Sequence, residues 1–324
     1  MFAELALTAL ATEVAFGFPD AIYRRIGHPV SWIGTLIARR EYLWNRSKFL
    51  PLTRRMFGIA TLVFLIVVCG VAGMVVSLLA ERFLPSFASM LVCGAAASTC
   101  LAQRSLDAHV RAVADALEQK GIEGGRHAVS QIVGRDTAEL DEAGVSRAAI
   151  ESLAENFSDG VVAPLFWLLV ASLPGAFIYK AINTADSMIG HKSELYRAFG
   201  WASARTDDLV NLPASRLAAL WLVLASAILL GLSSRDATAT VKRDAGKHRS
   251  PNAGWPEAAM AGALGLRLGG PRAYDGTTLE EPWIGDGREH ASARDIRVAL
   301  TQYRVACAIQ FTVVAGLAMA TAFL

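Results

Sequence analysis

One run of 24 residues, FGIATLVFLIVVCGVAGMVVSLLA at 57–80, contains no charged side chain. A helix of about 20 mostly apolar residues crosses the hydrocarbon of a bilayer, and a lipid-exposed segment must satisfy its own backbone polar groups. The run is therefore expected to be a membrane-spanning helix around which the rest of the chain is organised. Residues 214–232, with Arg216 near the start, and 305–324 have the same character. Segment 86–102 is shorter and rich in Ala, Ser and Cys, which suits a helix packed closely against other helices. Segment 161–182 carries Pro164 and Pro174-Gly175, so a broken or re-entrant span is expected there. Segment 1–18 is apolar but holds Glu4 and Glu13, which are costly in lipid unless they face protein. It has no basic n-region, so a cleaved signal peptide is not expected.

Composition agrees: 53% of the residues are hydrophobic and only 19% charged, against about 25% charged in average soluble domains. A net charge of +2 gives no reason to expect a nucleic-acid partner. The four cysteines lie in apolar stretches without ligand spacing and read as small buried hydrophobes. No alternating strand pattern persists and no internal repeat is found, so the fold class is all-α, a polytopic helical membrane protein in one domain.

The polar segments are 20–56, 103–160, 183–213 and 233–304. The first holds eight Lys/Arg against two acids, which places it on the cytoplasmic side. In 103–160 two or three amphipathic helices are expected. Val145, Ala149, Leu153 and Phe157 recur on one face, with Arg147, Glu151 and Glu155 opposite. A full crossing at 161–182 would put 183–213 outside; a re-entrant pair of half-helices would keep it inside.

Four strings carry the chemistry. In AENFSDGVVAPLFW (154–167), Glu155, Asn156, Ser158 and Asp159 gather oxygen ligands suited to Mg²⁺; an ordinary capped helix end fits them as well. In YKAINTADSMIGHKSELYRAFG (179–200), Lys180, Asn183, Thr184, Ser187, His191 and Glu194 form one helical stripe with Asp186 at its margin. That stripe faces either a cavity or simply water. In ARTDDLVNLPASRL (204–217), Asp207, Asp208 and Asn211 share one turn and could share a cation, or serve as a charged collar. In KHRSPNAGWPEAAMAGALG (247–265), Lys247, His248, Arg249 and Asn252 lead into a helix starting near Pro256-Glu257. Helix N-termini bind anions, although a capped helix behind a solvated basic loop has the same pattern. Further candidates are His28 in GHPVSWIG and Arg135-Asp136-Thr137. No P-loop or dinucleotide fingerprint is present.

In this order the strings resemble the CobD/CbiB amide ligases of cobalamin biosynthesis from about residue 10 to 310. One departure is Glu13 to Asp20, where an Asp-rich Gly-Asp-Pro pattern is common in the family. The resemblance implies condensation of aminopropanol, or its O-phosphate, with a carboxylate of adenosylcobyric acid, using ATP and Mg²⁺. On that basis the acids Asp159, Asp186 and Asp207 are expected to hold metal. Lys192, Lys247, Arg249, Asn183, Ser158 and Asn252 are expected at the nucleotide and phosphates, and His191, His248 and Glu155 at proton transfer. The bacterial inner membrane, a cytoplasm-facing site and other late-pathway membrane enzymes as partners are further expectations. A membrane sensor or small-anion carrier without ligase activity is the alternative.

Overall fold

The computed structural model describes residues 2–191, 193–274, 277–279 and 281–322. The helices, in chain order, are α1 (Phe2–Phe16), α2 (Asp20–Ile26), α3 (Pro29–Trp44), α4 (Pro51–Phe83), α5 (Ser86–Ser98), α6 (Gln103–Val129) and α7 (Glu142–Phe157). A π turn (Ser158–Val162) leads into α8 (Ala163–Ile189). Then follow α9 (Trp201–Val210), α10 (Leu212–Ile228), α11 (Ser234–Asp244), α12 (Gly254–Leu264) and α13 (Ala293–Ala322). The protein is all-α apart from two small ribbons that the sequence did not signal. In one, β1 (Leu268–Gly269) pairs antiparallel with β4 (Trp283–Ile284); in the other, β2 (Arg272–Tyr274) pairs with β3 (Thr277–Leu279).

Among the described residues four helical runs are long and apolar enough to cross a membrane, or up to six if each of two bent pairs is one span. The outer face of α4 suits contact with lipid: Val63, Val67, Val71, Met74 and Leu78 are all more than half exposed. Contiguous apolar exposure of that kind marks a surface that meets another apolar medium.

The chain forms two compact units, Met1–Ala102 with Ala163–Asn211 and Val314–Leu324, and Gln103–Val162 with Leu212–Val313. In the first, α1 packs on α5 and α4 on α8. Small residues allow this. A Cβ on Gly94 of α5 would lie 2.5 Å from Thr8 Cγ2 of α1, and one on Gly73 of α4 2.8 Å from Pro174 Cα of α8. Glu13 of α1 is buried within this unit. Segment α8 is interrupted at Ala171 and Ser172, where Ser172 has φ 55° and ψ −157°, just before Pro174. The proline cannot supply a helical N–H to the preceding turn.

In the second unit α6 packs on α7, α12 on α7, α10 and α11. Val145, Ala149, Leu153 and Phe157 form the fully buried stripe of α7. Charged staples tie α13 to α6: Arg297 bonds Asp115 at 2.9 Å and Glu118 at 2.5 Å, and Arg304 bonds Asp107 at 2.6 Å.

Candidate functional site

The polar residues fall into one cluster per unit. In the first unit the cluster stands on α8 and α9. Helix α8 ends at Ile189, and the Gly190 amide closes it on the Asp186 carbonyl at 2.7 Å. The expected stripe is therefore cut short. Lys180, Asn183, Thr184 and Ser187 remain on α8 with Asp186, while His191 lies just beyond it and Glu194 in the following turn. The physical reason is steric: a Cβ at Gly190 would lie 1.9 Å from Asp186 Oδ1, and one at Gly200 1.6 Å from the Ile189 carbonyl oxygen. The chain turns where only glycine fits. His191 is exposed, its ring 6.1 Å from that of Tyr196. Lys192, expected at a phosphate, lies outside the described residues.

Asp207 is the centre of this cluster. It is buried, and Asn211 Nδ2 donates to its Oδ2 at 2.9 Å while Asn183 Nδ2 reaches its Oδ1 at 3.5 Å. Tyr179 in turn donates its hydroxyl to Asn211 Oδ1 at 2.9 Å. Asp186 and Asp208 add negative charge beside Asp207, and Arg205 approaches Asp208 at 3.5 Å. Neutral amides thus orient a buried carboxylate in a negative field. Mg²⁺ needs only one or two protein carboxylates when substrate phosphates and water complete its octahedron. Asp186 and Asp207 fit that requirement, although among the described residues no three His, Cys, Asp or Glu groups cluster as a metal site. His28 is explained more simply: its Nδ1 accepts the Val30 N–H at 3.2 Å and caps α3.

The second unit holds Glu155, Ser158, Asp159 and the 247–252 loop. Glu155 and Asn156 are exposed at the end of α7, Asp159 is half-buried in the π turn, and Ser158 is buried with its Oγ lacking a partner among the described residues. The π turn widens the helix by one residue per turn, a local geometry that recurs at functional sites. Asp159 belongs to this unit and Asp186 and Asp207 to the other.

Glu151 departs from its expected place on an open polar face. It is buried, and its Oε2 accepts from Arg135 Nη2 at 2.8 Å while its Oε1 accepts the Gly269 N–H at 2.7 Å. Lys247 is similarly committed: its Nζ lies 2.7 Å from Asp244, which is also gripped by Arg243 at 2.7 Å and by the Gly285 amide at 2.8 Å. These donors, the Arg243 guanidinium first, hold the Asp244 carboxyl well below the usual carboxylate range. Arg249 is exposed, with Glu281 at 3.4 Å. Asn252 accepts from Ser215 Oγ at 3.1 Å and Arg216 Nη1 at 3.0 Å, so it ties the loop to α10. Of the expected phosphate residues here, Arg249 is the most readily redirected to a ligand, while Lys247 and Asn252 hold the fold.

His248 accepts the Ser250 N–H on Nδ1 at 2.9 Å, and its Nε2 stands 3.7 Å from buried Glu257. A neutral ring in this setting carries its proton on Nε2, toward Glu257. The geometry directs the ring's Nε2 toward Glu257 rather than leaving it free as a proton acceptor. A cavity of about 130 Å³ is lined by Gly134, Arg135, Glu151, Glu155, Asn156 and Glu257, among others. The sequence points to Arg135 and Glu155 but not to Glu151 or Glu257. Their partners lie in distant segments, and the one local signal is that Glu151 and Glu155 are a helical turn apart.

The sequence profile of the family described as CobD/Cbib protein matches residues 6–303. A protein of Rhodobacter capsulatus named cobalamin biosynthesis protein CobD is 50% identical over 319 residues, 98% of this chain and 97% of that protein. Proteins of the same name from a Sinorhizobium species, 48% identical over 318 residues (98% of this chain, 97% of that protein), and from Brucella suis, 50% over 299 residues (91% and 90%), are also similar. No solved structure matches.

Proposed function

The chain belongs to the CobD/CbiB family, and from that premise we propose that it is an amide ligase of cobalamin biosynthesis. It would join aminopropanol, or its O-phosphate, to the free carboxylate of adenosylcobyric acid, with ATP as co-substrate. The observation that carries this reading is a family match spanning residues 6–303, because every polar string described above except the end of the chain falls inside it.

The chemistry accounts for the residue types. A carboxylate carbon is a poor electrophile, and transfer of the γ-phosphoryl group gives an acyl phosphate and ADP. The amine nitrogen then bonds to the acyl carbon, the carbon–oxygen bond to phosphate breaks with its electron pair going to phosphate, and the nitrogen gives up a proton. Asp186 and Asp207, oriented by Asn183 and Asn211, are proposed to hold Mg²⁺ in the first unit, and Asp159 is proposed as a metal ligand of the second unit in its own right. When bound, the ion neutralises phosphate charge. Arg249 is proposed at the phosphates. Glu155, exposed at the end of α7, is proposed to take the amine's proton, with His191 the other acceptor; general bases of this kind contribute about 10²–10⁴-fold. The proposed setting is the bacterial inner membrane with the site facing the cytoplasm.

The test is condensation by purified protein in detergent, with adenosylcobyric acid, Mg-ATP and aminopropanol phosphate, following the corrinoid by mass. A product heavier by the condensed amine, formed only with ATP, supports the ligase. Corrinoid binding by folded protein without product would favour a sensor or carrier.

A further inference from the structure

The cavity of the second unit has a chemistry that neither a metal nor a nucleotide phosphate accounts for. One wall is the pair Arg135–Glu151, whose side chains are 9% and 7% exposed. Glu151 uses one oxygen on Arg135 and the other on the Gly269 amide, so its charge is compensated within the wall. The Nε of Arg135 is buried and has no acceptor among the described residues. One turn after Glu151, Glu155 lines the same space, and Asn156 does so beside it. Asn156 donates its Nδ2 to the Ser152 carbonyl at 2.9 Å, which leaves its amide oxygen as the accepting end. Glu257, in the first turn of α12, adds a buried carboxylate to the lining.

The lining of the cavity therefore combines acceptors and negative charge with a buried guanidinium that has an unused donor. Metal is the weaker fit, because its ligands must converge to about 2.0–2.6 Å from one point, and no three acids among the described residues do so. An ammonium donates three hydrogen bonds of about 2.8 Å and can bridge acceptors that stand further apart. At about 130 Å³ the space suits a few heavy atoms, a water occupying about 30 Å³ in the liquid. A corrinoid or a whole nucleotide is too large to be enclosed in it.

We propose that this cavity is the amine pocket, taking the primary ammonium of a short amino alcohol between Glu155 and the Asn156 oxygen, with an oxygen of the ligand toward Arg135. The identity of the amine rests on the ligase reading; the preference for an ammonium over an analogue without nitrogen does not.

The test is calorimetric titration of the full chain in detergent with 1-aminopropan-2-ol O-phosphate and with 1-aminopropan-2-ol, using propane-1,2-diol phosphate as the analogue without nitrogen. Wild-type protein is expected to bind the amines and not the diol. Glu155→Gln and Asn156→Ala are expected to weaken amine binding about ten-fold or more, the size of one charge-assisted hydrogen bond. In the condensation assay both variants should raise the KM for amine while leaving those for corrinoid and ATP unchanged, and Glu155→Gln, which also removes the proposed base, should lower kcat as well. In the wild type, carbodiimide modification of Glu155, read by mass, should be slowed by the amines and not by the diol, which serves if a variant does not fold. Amine affinity indifferent to Glu155, or equal protection by the diol, overturns the pocket. Amide formation with an unchanged amine KM in both variants defeats the pocket and leaves the ligase standing. Amine binding through Glu155 without any amide product does the reverse.

Discussion

The two units handle buried carboxylates in opposite ways. In the first, Asp207 is held by the amides of Asn211 and Asn183. In the second, Glu151 and Asp244 are held by cations, Arg135 in one case and Arg243 with Lys247 in the other. An amide orients a carboxylate without cancelling its charge, so the site stays attractive to a cation. A guanidinium or ammonium cancels the charge and locks the geometry, which makes the pair part of the scaffold. Whether a buried carboxylate on a helix is left open to a cation or built into the scaffold thus depends on the partner it meets, an amide or a basic side chain.

The largest expected effect separates these roles. Asp207→Asn keeps the shape of the amide network but removes the charge, so condensation should fall about 100-fold or more, as for loss of a principal electrostatic group, with little change in thermal unfolding. A large fall in unfolding temperature with activity retained would break the comparison. Glu151→Ala is expected to act the other way. It strands a guanidinium that is 9% exposed, and breaking such a buried pair costs about 3–5 kcal/mol. Chemical denaturation in detergent should show that loss, whereas Glu151→Gln, which can still accept from Gly269, should cost less.

A third effect is set by pH. Asp244 has its folded pKa depressed by Arg243 first and Lys247 after it, and Glu118 is depressed by its bond to Arg297. Depressed carboxylates stabilise the fold above the unfolded pKa, about 4, and that contribution is lost as pH falls through the folded values. Unfolding temperature should therefore drop below about pH 4, and the drop should be shallower in Asp244→Asn. An identical acid profile in that variant would mean the ion pair contributes nothing measurable. The smallest effect concerns the interrupted α8. Ser172 has φ 55°, a conformation that costs a non-glycine residue about 1–3 kcal/mol. Ser172→Gly is expected to raise stability by about 1 kcal/mol or less, since glycine also brings more chain entropy to the unfolded state.

Much of the architecture was legible because it depends on local pattern. An uncharged run such as 57–80 has one low-energy arrangement in lipid, and the stripe Val145, Ala149, Leu153, Phe157 can be buried only as a helix face. The candidate site was legible in part. The strings at 154–167, 179–200, 204–217 and 247–265 contain its residues, but their pattern did not reveal which are engaged. Lys247 reads as a phosphate contact in its basic string, and the fold adds a pairing with Asp244, three residues earlier. Glu151 reads as solvent-facing and is instead enclosed by a loop 16 residues before it and a ribbon 118 residues after it.

The sequence by itself determined that this chain is helical, that several of its helices suit a bilayer, and which family it belongs to. Those properties follow from apolar run length, helical period and the order of polar strings, none of which requires knowing what lies beside what. Only the tertiary structure decided where α8 breaks and ends, which carboxylates are neutralised, and that Arg135, Glu151, Glu155, Asn156 and Glu257 line one cavity. The contacts of Glu151 with Arg135 and Gly269, and of Asp244 with Gly285, join segments 16 to 118 residues apart. The energy of a charge in such a place depends on its neighbours and its burial rather than on its own identity.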